Sequence, residues 1–174
     1  MTAENKLPVV HVDIDRCIEC YACEVACKLE HSLDTGPRLI RVIRLERVVN
    51  GRIQRISAPM ACAHCSDAPC ITACPSKALK RDSRTGSVMV DQDRCIGCKM
   101  CLIACPFGAP QFGAKGKMVK CDLCQRRLAK NEKPACVSAC TAEALKFETT
   151  ERSSTVVRGI RLAQAWSIED SKRG

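Results

Sequence analysis

Sixteen cysteines stand in this 174-residue chain, and they fall into four groups of four. The first is Cys17, Cys20, Cys23 and Cys27; the second is Cys62, Cys65, Cys70 and Cys74. The third is Cys95, Cys98, Cys101 and Cys105; the fourth is Cys121, Cys124, Cys136 and Cys140. A chain with this much clustered thiol folds around whatever the thiols bind. Large apolar side chains are too scarce to do that work, with five aromatics in all (Tyr21, Phe107, Phe112, Phe147 and Trp166). The opening "MTAENKLPVVHVDID" has no signal-peptide apolar core, and no run of 18 apolar residues follows. The Arg126-Arg127 pair lies mid-chain, where it cannot act as an export signal. The expectation is a cytoplasmic protein without a transmembrane segment. Thiols stay reduced there, so metal rather than disulfides is the reading of the clusters.

The spacing narrows the metal. Groups one and three carry the C-x2-C-x2-C-x3-C run of bacterial two-cluster ferredoxins. Three thiolates at two-residue intervals wrap a loop around one iron–sulfur cube, with backbone N–H groups turned toward its sulfides. The fourth cysteine lies about one helical turn further on, too far to cap the same cube, and so reaches a neighbouring one. Pro75 and Pro106 stop the helical turn behind the fourth cysteine. Groups two and three, joined by a hairpin, have the layout of such a ferredoxin. Cys62, Cys65, Cys70 and Cys105 are therefore expected at one cluster, and Cys95, Cys98, Cys101 and Cys74 at its mate. By the repeat described next, Cys17, Cys20, Cys23 and Cys140 share a third, and Cys121, Cys124, Cys136 and Cys27 a fourth. No group has lost a cysteine, so four [4Fe–4S] clusters are expected. Zinc, the usual ligand of paired C-x2-C motifs, is the alternative; a zinc-dependent DNA-binding module would follow from it.

"VHVDIDRCIECYAC" (10–23) resembles "VMVDQDRCIGCKMC" (88–101), and "PCITACPSKALK" (69–80) resembles "ACVSACTAEALK" (135–146). Groups one and three thus follow a strand; groups two and four precede one. The expected fold is α+β: two pseudo-symmetric ferredoxin-like units within residues 1–150. Unit A covers about 58–113. Unit B is built from both ends of that span, about 7–35 plus 117–150, so that the strand after Cys140 pairs with the strand before Cys17. Leu79–Arg81 and Val88–Val90 form a hairpin turning at Gly86. Residues 38–57 form an inserted hairpin at Asn50-Gly51, covering a flank or docking a partner. "CVSAC" and "CLIAC" read as single helical turns, and "QRRLAKNEKPA" as a basic loop. The C-terminal tail, 151–174, contains "VVRGIRLAQAW", a short amphipathic helix ending near Trp166.

The net charge of +9 invites a nucleic-acid reading. Four oxidised clusters with their thiolates contribute about −8, which leaves roughly +1 and removes the motive for phosphate binding. Among single residues, His64 in "CAHC" suggests a Rieske-type ligand, but a complete set of cysteines favours packing beside a cluster. His11 and His31 read as surface or strand residues, and Met60, Met100 and Met118 as pliable fillers against clusters. Tyr21, Ile96 and Phe107 read as shields keeping water off the sulfides.

The stretches "DRCIECYACEVACKLEH", "CAHCSDAPCITACP", "DRCIGCKMCLIACPFGAP" and "KCDLCQRRLAKNEKPACVSACTAEAL" together span residues 15–145. In combination they resemble the four-cluster ferredoxin-like electron-transfer subunits of molybdenum- and tungsten-pterin oxidoreductases. That resemblance implies no catalysis by the chain itself. It implies a large pterin catalytic subunit as partner, as in formate dehydrogenases or aldehyde oxidoreductases, and a flavin subunit or ferredoxin at the other end. The small size is similar to that of the ferredoxin-like subunit of bacterial tungsten aldehyde oxidoreductases. Copies stacked end to end would extend the wire. The alternative is a free-standing polyferredoxin shuttle serving a hydrogenase or carbon monoxide dehydrogenase.

Overall fold

Strand β1 (Lys6–Val12) is followed by Asp13, and strand β5 (Val88–Val90) by Asp91, the same step of the sequence repeat. In a computed structural model describing residues 6–151, each aspartate does two things. Its N–H bonds a carbonyl across the ribbon, Asp13 to Ala144 at 2.8 Å and Asp91 to Ala78 at 2.7 Å. Its Oδ1 accepts the N–H two residues on, from Asp15 and Asp93 respectively. Such Asx turns end the strand and swing the chain into the cysteine loop.

Among the described residues the strands form four two-stranded antiparallel ribbons. β1 pairs β8 (Leu145–Glu151), with Val12 opposite Leu145, so the chain's distant segments meet as the repeat requires. β4 (Leu79–Arg81) pairs β5 through a turn in which Asp82 accepts both the N–H and the hydroxyl of Thr85 at 2.7 Å, with Gly86 at φ +60°. The short ribbon of β6 (Gln111–Phe112) and β7 (Met118–Val119) has no counterpart in the sequence reading. Its strands are too short to carry an alternation signal.

The inserted hairpin runs as β2 (Ile40–Val49) and β3 (Arg52–Ala61), longer than 38–57. Asn50 (φ +50°) and Gly51 (φ +71°) both adopt the left-handed geometry a type I′ turn needs. β3 continues through Ala61 straight into Cys62, so the hairpin's end also positions group two. Its root buries Ile40, Val42 and Ala58, while Val48 and Ile53 near the tip are exposed.

The helices are short: α1 (Ala22–Glu30), α2 (Pro69–Thr72), α3 (Met100–Ile103), α4 (Gln125–Leu128) and α5 (Ala135–Ser138). α3 and α5 are the expected single turns. α1 begins like α3 but runs on past Cys27, because Lys28 stands where α3 meets Pro106. α4 replaces part of the expected basic loop, and Arg127 turns inward to Lys133 O (2.7 Å), Glu30 (3.4 Å) and Glu132 (3.2 Å). α1 packs on α5. The core is split. One part holds Val10, Ile40, Leu123, Val137 and Leu145 with Cys23, Cys27 and Cys136; the other holds Leu79, Val88 and Met118 with Cys101. Among the described residues no helix is long and apolar enough to cross a membrane. The expected tail helix and Trp166 lie outside the described residues.

Candidate metal centres

All four cysteine loops share one backbone feature. The residue two after the first cysteine has positive φ: Glu19 (+56°), His64 (+48°), Gly97 (+69°) and Leu123 (+61°). Three of these are not glycine, and such conformations cost on the order of 1–3 kcal/mol each, so the surroundings enforce them. The reversal turns successive N–H groups toward the loop's concave side, the nest geometry that suits an anion. Two N–H groups already meet sulfur at 3.4 Å, His64 to Cys62 and Met118 to Cys95. At Gly97 only glycine fits, since a Cβ would lie 2.5 Å from the Gly116 carbonyl oxygen.

The cysteines converge in sets that exchange members between groups. Cys62, Cys65, Cys70 and Cys105 line one cavity, with His64, Phe107 and Lys120 in its wall. Cys74, Cys95, Cys98 and Cys101 line a second. Cys27, Cys121, Cys124 and Cys136 line a third of about 300 Å³, walled by Ile40, Met60 and other residues of the β2–β3 hairpin. Near Cys23 stand Cys17 and Cys140; Cys20 is exposed on the same loop. Cys62 also lines the third cavity and is the leading charged neighbour of Cys121, so the first and third cavities adjoin at that pair.

Burial dominates the thiols' chemistry. It pushes Cys23 and Cys70 up to about 11 and Cys121 to about 12, and raises Cys27 and Cys136 further, with neighbouring sulfurs adding to the effect. Cys74 goes the other way. Burial raises it, but the Ser76 hydroxyl and the N–H groups of Ala78, Leu79 and Ser76 together outweigh burial and hold it below the usual thiol value. Thiols gathered in fours, free of disulfides and facing N–H groups, fit four-iron cubes: iron supplies the positive charge that makes crowded thiolates stable, and the N–H groups serve the sulfides.

The side residues sort differently from expectation. His64 is buried, and its Nδ1 accepts the Val88 N–H at 2.9 Å, which leaves the ring proton on Nε2. His11 lies in β1 as expected, but His31 is no surface residue: it ends α1 with Nε2 3.4 Å from Asp122 and 3.7 Å from the Cys124 sulfur. Met118 is buried and Met60 walls the third cavity, whereas Met100 is 43% exposed, because α3 turns it outward. Phe107 shields as expected; Tyr21 and Ile96 are exposed beside the exposed Cys20 and Cys98.

Sequence reasoning missed the groups that lock the loops to their neighbours. Glu19 bonds Ser57 and Arg44, and these bonds, Ser57's first, hold its carboxyl below the usual value. Buried Glu24 accepts the Val42 N–H at 2.7 Å and pairs Arg38 at 3.2 Å, fixing the hairpin on α1. Gln125 donates to the hydroxyls of Thr85 (2.5 Å) and Ser87 (2.6 Å), tying α4 to the β4–β5 turn. Nothing local in the sequence marks a lone Glu or Gln for such tasks.

This chain belongs to the 4Fe-4S dicluster domain family, which matches residues 53–150; a 4Fe-4S binding domain matches residues 14–35. That favours iron–sulfur clusters over the zinc alternative as the reading of these loops. Among curated relatives it is 37% identical to the formate dehydrogenase iron-sulfur subunit of Wolinella succinogenes, over 85% of this chain and 84% of that one. It is 37% identical to the thiosulfate reductase electron transfer subunit PhsB of Salmonella typhi, over 98% and 89%. It is 39% identical to the B subunit of the anaerobic dimethyl sulfoxide reductase of Escherichia coli, over 78% and 70%. The first two are named as iron–sulfur and electron-transfer subunits of their oxidoreductases, not as catalytic subunits.

Proposed function

We propose that the chain is an electron-relay subunit holding four [4Fe–4S] clusters. It connects a molybdenum- or tungsten-pterin catalytic subunit to a second redox partner. Cys17, Cys20, Cys23 and Cys140 hold one cluster; Cys121, Cys124, Cys136 and Cys27 the next. Cys62, Cys65, Cys70 and Cys105 hold the third; Cys95, Cys98, Cys101 and Cys74 the fourth. The observation that carries this reading is the exchange of corner cysteines between loops. When bound, each cluster accepts and releases single electrons; the protein sets their spacing, burial and hydrogen bonding.

The same contacts support an order. Cys74 and Cys105 interlock the clusters of groups three and two. The approach of Cys62 to Cys121 sets group two beside group four. Cys27 and Cys140 interlock groups four and one. The wire then runs from group three through two and four to group one, across two pseudo-symmetric halves. Each end's segment carries an exposed cysteine and exposed apolar side chains, Cys20 with Ile18 and Val25, Cys98 with Ile96 and Ile103. Electrons enter and leave there.

Anaerobic purification from the native host tests the reading. The expected material is brown, carries about 16 irons per chain, four for each four-cysteine cluster, and co-elutes with a large subunit containing molybdenum or tungsten. Elemental analysis of that subunit separates tungsten- from molybdenum-dependent partners. About 8 irons would refute the four-cluster assignment, and elution without a large subunit would point to a shuttle instead.

A further inference from the structure

Lys120 is the only buried lysine or arginine among the described residues, at 6% exposed. It follows β7 and immediately precedes Cys121. Its Nζ donates to the Cys121 carbonyl at 2.7 Å, and its side chain stands in the wall of the cavity lined by Cys62, Cys65, Cys70 and Cys105. Among the described residues no carboxylate bridges it. A buried cation is costly unless a negative group faces it. Two cysteine sets flank it: Cys62, Cys65, Cys70 and Cys105 line the cavity that it walls, and Cys121 of the other set is the next residue in the chain.

Resting on the four-cluster reading above, we propose that Lys120 is the shared counter-charge of the junction between the two halves, stabilising an added electron on either of the two middle clusters. A fixed positive charge lowers the energy of the more negative, reduced form, and low local dielectric makes the effect large. Because one ammonium serves both clusters, their affinities for the electron rise together. The electron that leaves one middle cluster reduces the other, and neither site becomes a trap. The end clusters, gathered around Cys23 and Cys101, lie against other residues and do not share this charge.

The test is a redox titration of the intact protein followed by electron paramagnetic resonance, in wild type, Lys120→Met, Lys120→Gln and Lys120→Arg. In Lys120→Met the equilibrium constant for reducing each middle cluster is expected to fall at least tenfold, which is about 59 mV for a one-electron couple. The two end clusters keep their potentials. Lys120→Gln keeps a donor for the Cys121 carbonyl and shifts the same pair, whereas Lys120→Arg keeps the charge and restores most of the wild-type values. Unmoved middle potentials in an iron-replete Met variant would overturn the proposal, as would an equal shift of all four clusters. If neither neutral variant binds its full iron while Lys120→Arg does, the junction requires a cation and the proposal stands; if Lys120→Arg fails as well, Lys120 acts by packing and the proposal falls. Failure of the four-cluster reading would appear separately, as a low iron count in the wild type.

Discussion

Gly97 and Gly108 adopt nearly the same left-handed backbone, φ +69° and +58°, yet their surroundings differ. A methyl group at Gly108 meets nothing within 4 Å, whereas at Gly97 it would lie 2.5 Å from the Gly116 carbonyl oxygen. That carbonyl cannot easily withdraw. Its turn is pinned by the Gly116 N–H to Gly113 O bond (2.9 Å) and the Gly113 N–H to Lys117 O bond (3.1 Å), and the next strand sends the Met118 N–H to the Cys95 sulfur. Gly108→Ala therefore costs only the left-handed penalty, about 1–2 kcal/mol. Gly97→Ala adds overpacking of about 1–3 kcal/mol. At about 1.4 kcal/mol per decade, the difference corresponds to roughly 5- to 150-fold. The strain is present in the folded loop and released when the loop opens. Iron release to a chelator under anaerobic conditions and fixed denaturant should thus be faster in Gly97→Ala than in Gly108→Ala by that factor. The first signal lost should be that of the group-three cluster. Equal release rates in the two variants, or loss beginning at another cluster, would refute the steric argument. The repeat sharpens it: the matching position in group one is Glu19, which tolerates a side chain because it faces Ser57 and Arg44 rather than a pinned carbonyl.

Two further outcomes follow from the same contacts. Cys74→Ala should damage the cluster of group three and spare that of group two; spectra showing the reverse would end the corner exchange. Glu24→Ala leaves the Val42 N–H without its charged acceptor in a buried setting, and should destabilise the holoprotein by about 2–3 kcal/mol, whereas Arg38→Ala, at a half-exposed partner, should cost under about 1 kcal/mol; comparison of denaturant midpoints checks both.

The cysteine spacing and the internal repeat carried most of the fold. Asp13 and Asp91, Leu79 and Val88, Asn50 and Gly51 each behave as their local chemistry dictates, because turns and strand ends are fixed by residues a few positions apart. The meeting of β1 with β8 was also legible, since the repeat transfers a local hairpin to distant segments. Less local features were not. α1 outruns its sequence twin α3 because of one residue behind the fourth cysteine, and α4 forms where composition suggested a loop because Arg127 finds carboxylates and a carbonyl around it.

From the sequence alone came the number of thiols, their loops and the metal class those loops suit, since ligand spacing is a short-range property of the backbone. Tertiary structure decided which distant residues abut. Cys62 beside Cys121, Gln125 against Thr85 and Ser87, and Lys120 buried at the junction join positions far apart in the chain. A lysine next to a cysteine reads as solvent-facing until packing removes the water around it, and Lys120 is buried.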